Sequence, residues 1–133
     1  MPPSELIRAT ACDLVDRLRS GDITPHDLLD ALEKRIADVD GKVNALPTLC
    51  FGRARAHADR LIKMPMGGRG LLAGMPVPIK DLTDVAGVLT TQGSPIFKDH
   101  IPARSNIVVE HLEANGGVVY AKSNTPEIGR AHV

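Results

Sequence analysis

Leu71-Leu-Ala-Gly-Met-Pro-Val-Pro-Ile-Lys80, then Ser105-Asn-Ile-Val-Val-Glu-His-Leu-Glu-Ala-Asn115, then Gly116-Gly-Val-Val-Tyr-Ala121 decide the fold class. The first run is apolar up to its last residue and short enough for a buried strand. Pro76 and Pro78 argue against a central ladder position for it. In the second run Ser105 is placed to cap a helix with Val108, Val109 and Leu112 turned inward, stopped by Asn115-Gly116-Gly117. Val118 to Ala121 reads as a second strand. Strand, helix and strand in that order predict a parallel α/β unit.

Between these runs, Asp81 to Arg104 is rich in Gly, Pro, Thr and Ser and reads as a long ordered loop, a length that hints at function. Ahead of them, Pro65-Met-Gly-Gly-Arg-Gly70 is a flexible loop by composition. Residues 1–64 form a mainly helical front end, and residues 65–133 the start of an α/β core. Ile7, Ala11, Leu14, Val15 and Leu18 recur at helical spacing, and Gly21 ends that pattern. Thr24 caps the next helix, Pro25 fits its first position and Asp27 its first turn. Leu28, Leu29, Leu32, Ile36 and Val39 make its apolar stripe, which Asp40-Gly41 is expected to stop. A short extended piece follows at Ala45 to Cys50, then a helix at Arg53 to Met64. One crossover supplies only two strands, fewer than a stable sheet usually has. The sequence therefore reads as part of a larger α/β protein.

The 133 residues are 43% hydrophobic, enough for one core. Sixteen Lys+Arg balance sixteen Asp+Glu, so the charge excess of a phosphate-neutralising nucleic-acid binder is missing. No apolar run reaches the roughly 18 residues of a membrane span, and no secretory pattern opens the sequence. A cytoplasmic location without nucleic-acid or membrane partners is expected. Phe51, Phe97 and Tyr120 are the only aromatics, too few for base-stacking platforms. Cys12 and Cys50 are expected to be reduced, buried thiols.

Lys80 is the first candidate for chemistry. It ends an apolar strand, and ligands collect at strand ends on the open side of α/β sheets. A lysine that works as a base must hold its proton less tightly than usual; apolar neighbours Val77 and Ile79 push that way, and a carboxylate at Asp81 pushes back. The plain alternative is a lysine reaching from a strand end to solvent, as most lone lysines do. Thr90-Thr91-Gln92-Gly93-Ser94 offers hydroxyls for a polar pocket, or an ordinary turn. Ala121-Lys122-Ser123-Asn124-Thr125-Pro126-Glu127 sets polar groups at the second strand's end, where Asn124 and Glu127 are placed to position neighbouring loops. The five histidines have no metal-ligand spacing, and neither a phosphate loop nor a Gly-x-Ser-x-Gly elbow occurs.

Taken in order, Gly74-Met-Pro-Val-Pro-Ile-Lys80-Asp81, Gly87, Thr90-Thr91-x-Gly93-Ser94 and Ala121-Lys122-Ser123-Asn124-x-x-Glu127 resemble the amidase signature family. The front end agrees, with Leu-Arg-Ser-Gly21-Asp22-Ile-Thr24 and Val43-Asn44-Ala45. The resemblance covers nearly the whole chain, to about Gly129.

The resemblance implies the amidase signature fold, here its N-terminal part, and hydrolysis of a carboxylic amide to acid and ammonia. It implies a Ser–cis-Ser–Lys triad with Lys80 as its base end and no metal or organic cofactor. The lysine would relieve a bridging serine of its proton, and that serine would activate the nucleophile. The family's two serines lie in a Gly/Ser-rich signature beyond the Asn-x-x-Glu segment, which this sequence does not reach. Ser94 and Ser123 do not match those positions, and Arg130-Ala-His-Val133 departs from the family pattern. The 133 residues alone are therefore expected to be inactive. Three further readings stay open: the glutamine-hydrolysing subunit of a tRNA-dependent amidotransferase, a Schiff-base lysine, and a non-catalytic remnant that associates, for example as a homo-oligomer through unpaired sheet edges.

Overall fold

A computed structural model describes residues 2–126. Among these residues five α-helices and three strands follow in the order α1 (Pro3–Arg8), α2 (Ala11–Ser20), α3 (Pro25–Val43), β1 (Thr48–Leu49), α4 (Phe51–Lys63), β2 (Pro76–Lys80), α5 (Ile107–Ala114) and β3 (Val118–Ser123). The expected single first helix is two. The Thr10 side chain accepts from the Asp13 N–H and starts α2 afresh, and Gly21 in the left-handed region ends it. Thr24 and Asp27 form a reciprocal capping box on α3, with Pro25 behind the cap. Asp40-Gly41 does not stop this helix. It runs to Val43 and ends at Asn44 (φ 53°), while the Asp40 carboxylate accepts the Ala45 and Leu46 N–H groups just beyond it. Asn106, not Ser105, caps α5; the Ser105 hydroxyl instead accepts from Ala86 N. Val108, expected inward, is 58% exposed, and only Val109 of that helix is fully buried.

The sheet order is β1-β3-β2, with β3 parallel to β2 and antiparallel to the two-residue β1. The expected parallel unit is present, and β1 adds a third strand. β2 has one neighbour among the described residues, which is the edge position that two prolines require. It begins at Pro76, five residues later than its apolar run. The stretch before it is held as a turn by Leu72 and Gly74 N–H groups donating to Asn115 and Gly116 carbonyls. β3 is central, so Val118 through Lys122 are all buried.

Three small cores result. α4 and α3 cover one face of β3 through Leu29, Phe51, Ala54, Ala58, Leu61, Val118, Tyr120 and Ala121. Phe51 and Tyr120 hold their ring centroids 5.7 Å apart, so two of the three aromatics sit in one contact. Leu6, Leu14, Leu18, Ile23, Leu28, Ala31 and Ala73 form the second core. On the other side of β3, Val119 packs with Ile79, Val85, Val88 and Val109. Pairing jumps from Val77–Val119 to Pro78–Ala121, so Tyr120 is an extra residue. That irregularity resets the alternation. Tyr120 and Ala121 both join the first core, and Lys122 returns to the side of Val119, where it bonds Thr90 beside Val88. Neither cysteine is disulfide-bonded; Cys12 is exposed rather than buried, and Cys50 is half-buried. No described helix is long and apolar enough to cross a membrane.

Candidate active site

Lys80 is the last residue of β2, at its C-terminal end, paired in register with Ser123 of β3. Its side chain is exposed. The apolar environment expected from Val77 and Ile79 is not formed: Ile79 points to the opposite side of the strand, into the core with Val119, and Val77 is half-buried. The carboxylate of Asp81 does not pair with Lys80 either. It is buried at 3% exposure and turned into the loop, where it accepts from the Thr91 N–H at 3.0 Å and from the Thr91 hydroxyl.

The backbone reinforces this arrangement. Asp81 N–H donates to Ser123 O at 2.9 Å, Gln92 N–H donates to Asp81 O at 2.9 Å, and Thr83 N–H donates to Lys80 O at 3.0 Å. Gly93 (φ +67°) lies so close to Thr125 that a Cβ there would come within 2.5 Å of the Thr125 hydroxyl. The three segments singled out in the sequence therefore meet at one strand end. The parts of them that meet are Lys80-Asp81, Thr90 to Gly93, and Lys122 to Thr125. Asn124 does position a neighbouring loop: its N–H and side-chain amide donate to Ala45 O and Asn44 O at 2.8 and 3.0 Å. Glu127 lies outside the described residues. Ser94 caps the short turn at Pro95–Phe97 by accepting from Ile96 N.

One residue at this centre has no clear mark in the sequence. Lys122 is fully buried, at 0% exposure. Its ammonium donates to the Thr83 carbonyl and, at 3.2 Å, to the Thr90 hydroxyl, which itself donates to Val88 O. Burial pushes the ammonium's proton affinity down, and the carboxylates of Asp81 and Asp84 pull it back up. The available signal is the unbroken apolar run Val118 to Ala121. Such a run marks a central strand buried on both faces, and the residue after it shares that burial.

The family assignment agrees with this geometry. A family model described as Amidase matches residues 27–132, which contain all three converging segments. The chain belongs to the amidase family. A glutamyl-tRNA(Gln) amidotransferase subunit of Halothermothrix orenii is 36% identical over 123 residues, covering 92% of this chain and 24% of that protein. An acylamidase of Rhodococcus erythropolis is 31% identical over 122 residues, covering 90% of this chain and 26% of that protein. The solved fatty acid amide hydrolase superposes with a TM-score of 0.84 at 18% identity, over 94% of this chain and 22% of that one, and shows the shared fold. The chain thus spans about a quarter of the length of the curated relatives it matches.

Proposed function

We propose that these residues supply the base-bearing part of an amidase that cleaves a carboxylic amide to acid and ammonia, with Lys80 as the base. The observation that carries this reading is the convergence of three sequence segments on the open end of β2, with Lys80 at its tip and its neighbour Asp81 engaged elsewhere. The Asp81 carboxylate is turned away toward Thr91 and forms no ion pair with Lys80. In this reading the apolar cover over the lysine and the hydroxyl nucleophile would come from the rest of a protein of the relatives' length.

In the proposed reaction Lys80 takes a proton from a bridging serine, and that serine takes one from the nucleophilic serine. The nucleophile attacks the amide carbon, ammonia leaves with the proton that Lys80 returns through the bridging serine, and water releases the acid from the acyl-enzyme. The two serines would belong to a chain of the relatives' length, and the 133 residues alone would be inactive. The test is ammonia release from simple primary amides. A protein of the relatives' length containing these residues is expected to release it, and the 133 residues alone are not. Turnover by the 133 residues alone would overturn the division of labour proposed here.

A second reading is favoured by the relatives named as glutamyl-tRNA(Gln) amidotransferase subunits. In it the amide is that of glutamine and the ammonia passes to a partner subunit. Glutamine hydrolysis that depends on added partner subunits would select this reading, and partner-independent cleavage of unrelated amides would select the first.

A further inference from the structure

We propose that Lys122 is a positioning residue that fixes the strand exit carrying Lys80; this rests on the reading of Lys80 as the base. Lys122 makes no contact with solvent, and its ammonium joins two points of the loop that follows β2, the Thr83 carbonyl and the Thr90 hydroxyl. Thr83 in turn donates its N–H to the Lys80 carbonyl at 3.0 Å. The chain of contacts runs from the buried ammonium through one residue to the backbone of Lys80. The extra residue at Tyr120 is what aims Lys122 at this loop, since regular alternation would send its side chain toward the α3–α4 face.

Stability alone does not account for a lysine here. Burial lowers the ammonium's proton affinity, so at neutral pH the unfolded chain holds that proton more tightly than the folded one does. The buried charge therefore opposes folding, and its contribution grows more favourable as pH rises toward the ordinary lysine value. Replacing a buried charge by an apolar side chain of similar shape is often neutral or stabilising. What an apolar residue cannot do is bond two acceptors, one on each limb of the loop. The lysine is thereby assigned to conformation, and Asp81 with Thr91 forms the second clamp of the same loop.

The test is residue-resolved amide hydrogen exchange on the 133-residue chain, comparing Lys122→Met and Thr90→Val with the parent. The Thr83 amide, which holds Lys80, is expected to exchange about tenfold faster or more in Lys122→Met, the equivalent of one hydrogen bond to a charged group. The amides of Val118 and Cys50, which bond Met75 and Tyr120, are expected to keep their rates. The side-chain methylene resonances of Lys80 are expected to shift at constant pH. Thr90→Val removes one of the two acceptors and gives the same selective pattern at smaller size, and it decides the matter alone if Lys122→Met fails to fold. Unchanged exchange at Thr83, or a rise shared equally by Val118 and Cys50, overturns the proposal. No turnover enters this readout, so its result is separable from the test of the amidase reading, and its own failure leaves Lys80 free to be the base.

Discussion

Replacing Asp81 with alanine should loosen the loop after β2 more than any other single change there. The residue is 3% exposed and its carboxylate accepts both the N–H and the hydroxyl of Thr91. Hydrogen bonds to a charged partner contribute about 1.5–3 kcal/mol each, and removing one member of a buried set leaves the others unpaired. Two such bonds are lost, but Thr91 is only half-buried and water can reach it, so the expected loss is about 3 kcal/mol. Asp81→Asn keeps one acceptor oxygen and should lose about half as much, roughly 1–2 kcal/mol. A further penalty falls on Lys122, whose buried ammonium loses the carboxylate that most strongly supports its charge. The assay is urea unfolding at neutral pH followed by far-ultraviolet circular dichroism, since the chain has no Trp and one Tyr. The midpoints should fall in the order parent, Asn, Ala at constant slope. Both variants lying within about 0.5 kcal/mol of the parent would refute the clamp.

Gly116→Ala should destabilise by about 2 kcal/mol or more in the same assay, because its φ of +85° disfavours any side chain and a Cβ would overlap the Arg69 carbonyl oxygen. Thr24→Ala removes half of the α3 capping box and should cost about 1 kcal/mol, whereas Thr24→Ser should be near neutral. Burial lowers the proton affinity of His57 below its ordinary value of 6.5, against the opposing pull of Glu113 and with help from Arg60 and Arg53. Its contribution to stability is thus complete above that value and is lost as pH falls through the folded value. Unfolding measured from pH 7 to 5 should show stability falling by up to about 1.4 kcal/mol per pH unit, a slope that His57→Phe removes in part.

Local chemistry made the helical front end readable and left the loop interior hidden. The Thr24-Pro25-Asp27 start and the Gly21 stop depend on backbone groups a few residues away, so composition suffices. The break between α1 and α2 is also local, but an unbroken apolar spacing across Ala9 and Thr10 conceals it. Asp40-Gly41 misleads because Asp40 serves the residues after the helix, while the left-handed terminator is Asn44. At the site, Lys80 at a strand end follows from the apolar run before it. Its exposure does not, since that depends on which side of β2 Ile79 occupies. The apolar run before Lys122 hints at its burial, but the loop it meets depends on the extra residue at Tyr120, a shift that no periodicity argument anticipates.

The central claim is that Lys80 acts as the base in amide hydrolysis. The most direct measurement is the rate of acyl-enzyme formation in a single turnover, using a protein of the relatives' length that contains these residues, with and without Lys80→Ala. Loss of a positioned general base predicts a fall of at least about a hundredfold with folding unchanged. Acyl-enzyme forming at the parent rate in the Lys80→Ala variant would contradict the account and return Lys80 to the surface lysines.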